Sequence, residues 1–189
     1  SGQKIKIFII NLDKDWERMK ELDIEMKENN LEYERLPAVK GSELTNESPI
    51  VKKYFASNLK KYNNNQKGCT LSHISIWNKI KESNHELTIV MEDDVIIPKN
   101  LFQKLDIYLK QAPEDWDILF LGGNRIIGHK YSENLVLPDV SKRGNYGTFA
   151  YLIKNKNIDK ILGRCKNIRL HTDLFMQQEL GKDNKIFFC

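Results

Sequence analysis

The sequence predicts an α/β fold with a central, mostly parallel β-sheet. Lys4–Ile10 is a short run rich in apolar and β-branched residues, which is typical of a buried strand. Lys14–Asn29 follows with apolar residues at roughly helical spacing, and Tyr33–Val39 is a second strand-like run. Strand, helix and strand in this order form the βαβ unit of a parallel sheet. Asp13 stands directly before the helix and is predicted to be its N-cap.

The remaining elements follow from the same patterns. Helices are predicted over Ile50–Leu59, Gly68–Lys81, Lys99–Leu109, Asn157–Cys165 and His171–Leu180. Strands are predicted over Leu87–Met91, Ile118–Leu121, Thr148–Ile153 and Lys185–Cys189. A loop is expected around Asn63–Asn65, and Arg125–Lys142 is expected to be an excursion of strands or a mobile loop.

Length and composition indicate one domain. With 189 residues, of which 40% are hydrophobic, the chain is expected to form a single domain over residues 1–189. Because the sequence starts without Met, we expect Ser1-Gly2 to be a tag remnant. The chain stops on an apolar strand, so we expect a truncated C-terminus. No apolar run approaches the roughly 20 residues that cross a bilayer, which predicts no transmembrane segment and is compatible with peripheral membrane association.

Charge and cysteine usage limit the binding partners and the cellular compartment that the sequence predicts. The 30 basic and 26 acidic residues leave a net charge of +4, too balanced to indicate a nucleic-acid partner but compatible with a nucleotide diphosphate. Cys69, Cys165 and Cys189 lack CxxC spacing, which favours a reducing compartment and argues against a disulfide framework or a zinc site. We therefore expect a cytoplasmic or membrane-peripheral protein, without excluding a lumenal or viral setting. Cys69 is expected to be a small buried residue rather than a nucleophile.

Three acidic residues, Glu92, Asp93 and Asp94, follow the predicted strand Leu87–Met91. Ligands in open α/β sheets bind outside the carboxyl ends of strands. Crowded carboxylates repel one another unless a cation neutralises them, and hard oxygen ligands suit Mg²⁺ or Mn²⁺. A solvated acidic loop that caps the next helix is the alternative.

Strand geometry divides the three acids between two sides. Glu92 and Asp94 are two residues apart and would face the same side of an extended strand, so we expect them to be metal ligands. Asp93 would point the other way, toward ribose hydroxyls or structural amides. If the chain instead turns after Met91, Asp93 and Asp94 exchange roles.

Several short motifs occur in an order that matches one known family. They are INLD at Ile10–Asp13, PAVKG at Pro37–Gly41, GCTLSH at Gly68–His73, EDDV at Glu92–Val95, WDILFLG at Trp116–Gly122, GTFAY at Gly147–Tyr151 and TD at Thr172–Asp173. Together they resemble glycosyltransferase family 25, which includes lipopolysaccharide-type glycosyltransferases and collagen β-galactosyltransferases. The resemblance spans about residues 4–180. Lys40 departs from the family pattern, in which an acidic residue often precedes the glycine.

The resemblance implies a GT-A-like fold, a Rossmann-type α/β/α sandwich with one nucleotide-sugar site. It also implies a UDP-hexose donor carrying galactose or glucose, a divalent cation (Mn²⁺ or Mg²⁺), and inversion at the anomeric carbon. The acceptor would be a glycan, a glycolipid such as lipopolysaccharide, or a collagen-like hydroxylysine.

An inverting transfer needs a base for the acceptor hydroxyl, and Asp173 is the candidate because it lies at a predicted helix start late in the chain. An N-cap is the structural alternative for Asp173. Enzymes with this fold often take a metal ligand from a late histidine, which makes His171 the third candidate ligand beside Glu92 and Asp94. An ordinary loop histidine is its alternative.

Four further residues are predicted to bind the nucleotide, together with Asp93. Asn11 and Leu12 follow the first strand, where their backbone groups could read uracil. Arg18 could reach a phosphate, or pair with neighbouring glutamates on a solvated face. Ser72 could touch the nucleotide, or cap its helix while His73 packs in the core. Gly147 and Thr148 are expected to flank the sugar or acceptor pocket.

Two other readings compete with a transferase. A non-catalytic GT-A-like domain would bind a nucleotide-sugar or glycan without turnover. A Mg²⁺-dependent phosphoryl-transfer or receiver-like domain also places acids at strand ends. The latter fits poorly, because only Asp13 follows the first strand and no P-loop motif occurs.

Overall fold

The computed structural model describes residues 5–57, 59, 61–142, 144–147 and 149–189. Its strands are β1 (Ile5–Asn11), β2 (Glu34–Pro37), β3 (Leu87–Glu92), β4 (Ile118–Phe120), β5 (Gly128–Lys130), β6 (Val136–Pro138), β7 (Ala150–Lys154) and β8 (Ile186–Phe188). Its helices are α1 (Trp16–Glu28), α2 (Pro49–Tyr54), α3 (Asn64–Lys81), α4 (Leu101–Gln111), α5 (Ile158–Gly163) and α6 (Thr172–Leu174). A π-helical segment, Phe175–Glu179, continues α6. Lys4 and Thr148, two predicted strand starts, lie outside the described residues.

The strands form one 8-stranded sheet in the order β2-β1-β3-β7-β4-β8-β6-β5. Strands β2, β1 and β3 are parallel, whereas β7 runs antiparallel to both β3 and β4. In the parallel part, Ile10 pairs with both Leu36 and Glu92, so the carboxyl ends of these strands meet at one edge. The segment expected to be an excursion contains β5 and β6, which pair as an antiparallel hairpin.

Both faces of the sheet are covered, as an α/β/α sandwich requires. On one face, Trp77 and Ile80 of α3 pack in the same cluster as Phe120. On the other face, Leu22 of α1 packs in a second cluster with Leu105 of α4. Full burial of each large apolar side chain contributes roughly 1.5–3 kcal/mol. The predicted α/β class and the Rossmann-type sandwich are therefore confirmed.

Helix α3 starts earlier than predicted. Asn63 caps it: its Oδ1 accepts from the Gln66 amide at 2.9 Å, and Gln66 Oε1 accepts from the Asn63 amide at 2.9 Å. Gly68 lies inside the helix, where a Cβ would stand 2.6 Å from the Val39 carbonyl oxygen. The predicted start at Gly68 was wrong, because the glycine serves close packing against the loop after β2. Ser72 is therefore not a cap.

The start of α1 also differs from the prediction. Asp13 lies in a 3-10 turn over Asp13–Asp15, and α1 begins at Trp16 without a side-chain cap. Asp13 was therefore wrongly predicted to be the N-cap, since its carboxylate instead accepts from Arg35 on β2 at 2.6 Å. None of the described helices is long and apolar enough to cross a membrane.

Candidate active site

A cleft of about 350 Å³ lies at the carboxyl ends of β1, β2 and β3. Its walls come from the connection after β1, the loop after β2, helix α3 and the end of β3. The lining residues are Ile10, Leu12, Lys14, Asp15, Arg18, Ala38, Val39, Gly41, Asn65, Cys69, Ser72, His73, Glu92 and Asp93. The cleft therefore brings acids and bases together at the sheet edge where α/β proteins bind ligands.

Asp93 is held at the cleft by two side chains from the β1–α1 region. The Asn11 side-chain amide donates to Asp93 Oδ2 at 2.7 Å, and the Arg18 guanidinium lies 3.6 Å from Asp93 Oδ1. Asn11 is buried, and the same Nδ2 also donates to the Asp15 carbonyl at 3.0 Å. Arg18 thus faces an acid of the cleft.

Arg35 holds Asn11 in turn. Its Nε donates to Asn11 Oδ1 at 2.9 Å, and its Nη2 donates to Asp13 Oδ1 at 2.6 Å. The hydrogen bond from Arg35 keeps the pKa of the Asp13 carboxyl below its ordinary value. We call Asp93, Asn11, Arg35 and Asp13 the rim network, because its outer members are exposed to solvent.

Glu92 points instead toward α3. Its Oε1 lies 3.3 Å from His73 Nε2, and His73 Nδ1 lies 2.6 Å from the Tyr151 hydroxyl of β7. The Trp77 indole N–H donates to the same hydroxyl at 3.1 Å. We call Glu92, His73, Tyr151 and Trp77 the buried network.

Two groups of the buried network have shifted pKa values. Burial lowers the pKa of His73, but its hydrogen bonds to Cys69 and Glu92 raise it, and the net direction is upward. Burial raises the pKa of Tyr151, so its hydroxyl stays neutral at physiological pH. The alternative in which His73 only packs in the core is incomplete, since its ring joins the core to a cleft acid.

The chain turns directly after Glu92, the last residue of β3. Asp93 and Asp94 lie in that turn, so the strand alternation that pairs Glu92 with Asp94 stops there. Asp94 is exposed and lies outside the lining of the cleft. Atoms packed around its carboxyl group, followed by the negative charge of Glu92, raise the pKa of Asp94. Neighbouring carboxylates of this kind fit a hard divalent cation such as Mg²⁺ or Mn²⁺.

Asp173 and His171 lie on a segment that touches the cleft wall. Between them, Thr172 donates to Cys69 Sγ at 3.5 Å, and its Oγ1 lies 2.8 Å from Thr70 Oγ1. Asp173 Oδ1 accepts from the Leu174 amide at 2.9 Å, and its Oδ2 accepts from the Gly147 amide at 3.5 Å.

The position of this segment corrects one expectation and leaves two open. The N-cap position of α6 belongs to His171, so Asp173 is not the predicted N-cap. The His171 ring packs 5.0 Å from the Tyr62 ring, measured between centroids. Glu92, Asp94 and His171 do not form a group of closely spaced ligand atoms in the described part of the chain. Their assignment as metal ligands, and that of Asp173 as base, stay predictions.

Ser72 and Leu12 both line the cleft, although Ser72 is buried. Ser72 Oγ accepts from the Val39 amide at 2.9 Å and donates to the Gly68 carbonyl at 2.8 Å. Ser72 therefore ties α3 to the loop after β2, which is one wall of the cleft. Cys69 was wrongly expected to be buried, since its thiol is exposed where it borders the cleft.

Sequence reasoning missed Arg35 and Tyr151, the residues that hold Asn11 and His73. Arg35 lies on β2 beside Glu34, so its charge does not stand out from the local sequence. Tyr151 ends the GTFAY motif, but nothing local marks its hydroxyl as a partner of His73, because aromatic residues are ordinary in buried strands.

Comparisons with known proteins identify the family of the chain. The family model described as glycosyltransferase family 25 (LPS biosynthesis protein) matches residues 4–176. Procollagen galactosyltransferase 1-A of Xenopus laevis is 31% identical over 173 residues, covering 83% of this chain and 28% of that protein. Procollagen galactosyltransferase 2 of Homo sapiens is 27% identical over 176 residues, covering 84% of this chain and 27% of that protein.

Another relative carries a different description. Inactive glycosyltransferase 25 family member 3 of Homo sapiens is 29% identical over 99 residues, covering 50% of this chain and 17% of that protein. The chain thus spans less than a third of the length of these three relatives. Since the family model covers both sides of the cleft and most of the sheet, the chain belongs to glycosyltransferase family 25.

Proposed function

We propose that this domain transfers a hexose from a UDP-sugar to an acceptor hydroxyl, with inversion and with the help of Mn²⁺ or Mg²⁺. The observation that best supports this is the meeting of acids and bases in one cleft. Glu92 and Asp93 lie there with Lys14 and Arg18 at the carboxyl ends of parallel strands. A nucleoside diphosphate with its cation needs both charge types, because basic side chains neutralise phosphate oxygens and an acid such as Glu92 helps to hold the ion.

The nucleotide would lie along the β1–α1 side of the cleft. Leu12 borders the space proposed for uracil. The Arg18 guanidinium, which lies beside Asp93, would bind a phosphate oxygen as well as this carboxylate. Asn11 acts by holding Asp93, since its side chain is occupied by Asp93, Asp15 and Arg35. Ser72 shapes one wall of the site through its bond to Val39.

Glu92 and Asp94 would hold the divalent cation, with His171 as the proposed third ligand. The raised pKa of Asp94 supports this, because partial burial of its carboxyl group and then the negative charge of Glu92 disfavour the ionised form, which a bound cation would favour. When bound, such an ion stabilises the negative charge that develops on the departing diphosphate.

Asp173 is proposed to be the base that accepts the proton of the acceptor hydroxyl. Its neighbour Thr172 contacts Cys69 on the cleft wall, which supports a position of Asp173 close to the site. Two backbone amides, of Leu174 and Gly147, orient the carboxylate. A positioned carboxylate in this role contributes about 10²- to 10⁴-fold to the rate.

We propose galactose as the transferred sugar, because two relatives are named procollagen galactosyltransferases. Those names support a collagen-like hydroxylysine acceptor, whereas the family description supports a glycolipid or other glycan acceptor. We also propose a reducing, cytoplasmic or membrane-peripheral location. It is supported by Cys69, Cys165 and Cys189, which are free thiols.

The test is UDP release from UDP-galactose and UDP-glucose, with and without Mn²⁺, because such enzymes hydrolyse their donor slowly without acceptor. We expect Mn²⁺-dependent release from UDP-galactose. Asp173→Asn should reduce it at least about 100-fold, because the same carboxylate would take the proton of the water that attacks in place of an acceptor. Asp94→Asn should reduce the increase in UDP release that Mn²⁺ causes, because the variant lacks one proposed metal ligand. Asp159→Asn, an exposed acid on α5, is the matched control and should release UDP like the parent.

A relative named as inactive favours one second candidate, a domain that binds the nucleotide-sugar without turnover. Calorimetry of UDP binding in the presence of Mn²⁺ separates the two. Binding without release from either donor would establish the non-catalytic candidate. Neither binding nor release would contradict both.

A further inference from the structure

Three side chains of different chemistry converge at the cleft. The Cys69 Sγ, His73 Nε2 and a Glu92 carboxylate oxygen all lie within 4.8 Å of one another. Glu92 Oε1 is 3.9 Å from the sulfur and 3.3 Å from the imidazole nitrogen. Thiol, imidazole and carboxylate are the three protein ligand types that Zn²⁺ uses.

The spacing of these atoms is close to that of a tetrahedral zinc site. Zn–S bonds of about 2.3 Å and Zn–N or Zn–O bonds of about 2.1 Å place the nitrogen and oxygen roughly 3.4 Å apart. The same geometry places the sulfur and oxygen roughly 3.6 Å apart. The 3.3 Å and 3.9 Å separations differ from these values by a few tenths of an ångström. These two separations therefore fit such a site, and the third, between the Cys69 sulfur and the His73 ring, lies within 4.8 Å.

The surrounding structure already orients two of the ligands. Cys69 and His73 are one helical turn apart on α3, so they face the same side of the helix. The other ring nitrogen of His73 is bonded to Tyr151, which Trp77 holds in turn. A histidine that binds a metal usually has its second nitrogen fixed in this way. Cys69, His73 and Glu92 all line the cleft, so a fourth coordination position would open into it.

From this geometry we propose that Cys69, His73 and Glu92 bind Zn²⁺ with an open fourth position toward the cleft. Thiolate and imidazole favour Zn²⁺ over Mn²⁺ or Mg²⁺, which prefer oxygen ligands. On binding, the thiol releases its proton and the imidazole Nε2 gives up any proton it carries, so the metal meets a thiolate and a neutral ring. The sequence argument against zinc considered only the spacing of the cysteines. It missed this site because two of the three ligands are not cysteines, and Glu92 comes from a different element.

A consequence concerns Glu92, which is also proposed to bind the ion of the sugar donor. One carboxylate cannot serve both sites fully, so Zn²⁺ at this cluster would inhibit Mn²⁺-dependent UDP release. This consequence rests on the proposed function, whereas Zn²⁺ binding itself does not.

The test uses Co²⁺ as a spectroscopic stand-in for Zn²⁺, added to the full chain after treatment with a chelator. A thiolate-to-Co²⁺ charge-transfer band in the near ultraviolet is expected, and equimolar Zn²⁺ should abolish it. Cys69→Ser should remove the band, whereas Cys189→Ser, at a thiol outside the cleft, should keep it. Glu92→Gln should retain the thiolate but weaken Co²⁺ binding at least about 10-fold.

Circular dichroism of each variant verifies folding, and Cys69→Ser is expected to fold because the thiol is exposed. Absence of the band in the parent, or its persistence in Cys69→Ser, would overturn the proposal. A band in a chain that releases no UDP would retain the zinc site and contradict only the transferase.

Discussion

The buried network and the rim network begin at neighbouring carboxylates but differ in their access to water. Glu92 leads to His73 and Tyr151, whose side chains are buried. Asp93 leads outward to Arg35 and Asp13, whose side chains are 32% and 61% exposed. Water can replace a lost partner in the rim network but not in the buried one. Losing a partner should therefore cost more free energy in the network that begins at Glu92 than in the one that begins at Asp93, although the two acids are adjacent in sequence.

The largest effect should come from breaking the buried network at its centre. Tyr151→Phe removes the hydroxyl that contacts both His73 Nδ1 and Trp77 Nε1. Each buried group left without a partner costs about 1–3 kcal/mol, so we expect the free energy of unfolding to fall by about 3 kcal/mol. Urea denaturation measures it. Tyr131→Phe, at an exposed tyrosine, is the control and should change little. A loss below that of the Asn11 variant described next would contradict the ranking of the two networks.

A smaller loss is expected from breaking the rim network at its buried end. Asn11→Ala removes the bonds to Asp93, Asp15 and Arg35. Because Asp93 and Arg35 can bind water instead, we expect a loss of about 1–2 kcal/mol in the free energy of unfolding. Urea denaturation again measures it, with Asn78→Ala on the exposed face of α3 as control. Equal losses of stability in Asn11→Ala and Asn78→Ala would mean that Asn11 contributes no more than an asparagine on a helix surface.

The smallest effect should occur at the exposed end of the rim network, and it should depend on pH. Arg35 lowers the pKa of Asp13 in the folded protein, so the ionised carboxylate stabilises the fold. This contribution is complete above the ordinary aspartate pKa of about 3.9 and is lost as the pH falls through the lowered value. Asp13→Asn should therefore melt slightly below the parent at pH 7, and the two melting curves should converge on acidification. Glu133→Gln, on an exposed loop, is the control. A difference in melting temperature between the parent and Asp13→Asn that widens on acidification would contradict the stabilising role assigned to the ionised Asp13.

Much of the parallel part of the sheet follows from local patterns. Strand β1 was predicted to within one residue at its C-terminal end, and β3 likewise, because a buried strand needs a continuous apolar run. The acids after β3 could be placed at the sheet edge for the same reason. The hairpin of β5 and β6 was harder to define, since its strands are 3 residues long and largely exposed.

The start of α3 shows where local patterns fail. Asn63 and Gln66 lie in an Asn-rich stretch that is typical of a loop, and Gly68 resembles a helix boundary. The folded chain instead uses Asn63 as the cap and keeps Gly68 free of a side chain for the Val39 carbonyl. That close approach depends on how the loop after β2 packs, which no short window of sequence contains.

The sequence alone determined the fold class, the order of the main elements, the family resemblance and the position of three acids after a buried strand. These features depend on hydrophobic periodicity and short motifs, which are local. Tertiary structure decided what each acid meets. His73 and Tyr151 are 78 residues apart, and they touch because β7 pairs antiparallel to β3. The turn after Glu92 then sends Asp93 to Asn11 and leaves Asp94 exposed, because the chain leaves the sheet at that residue.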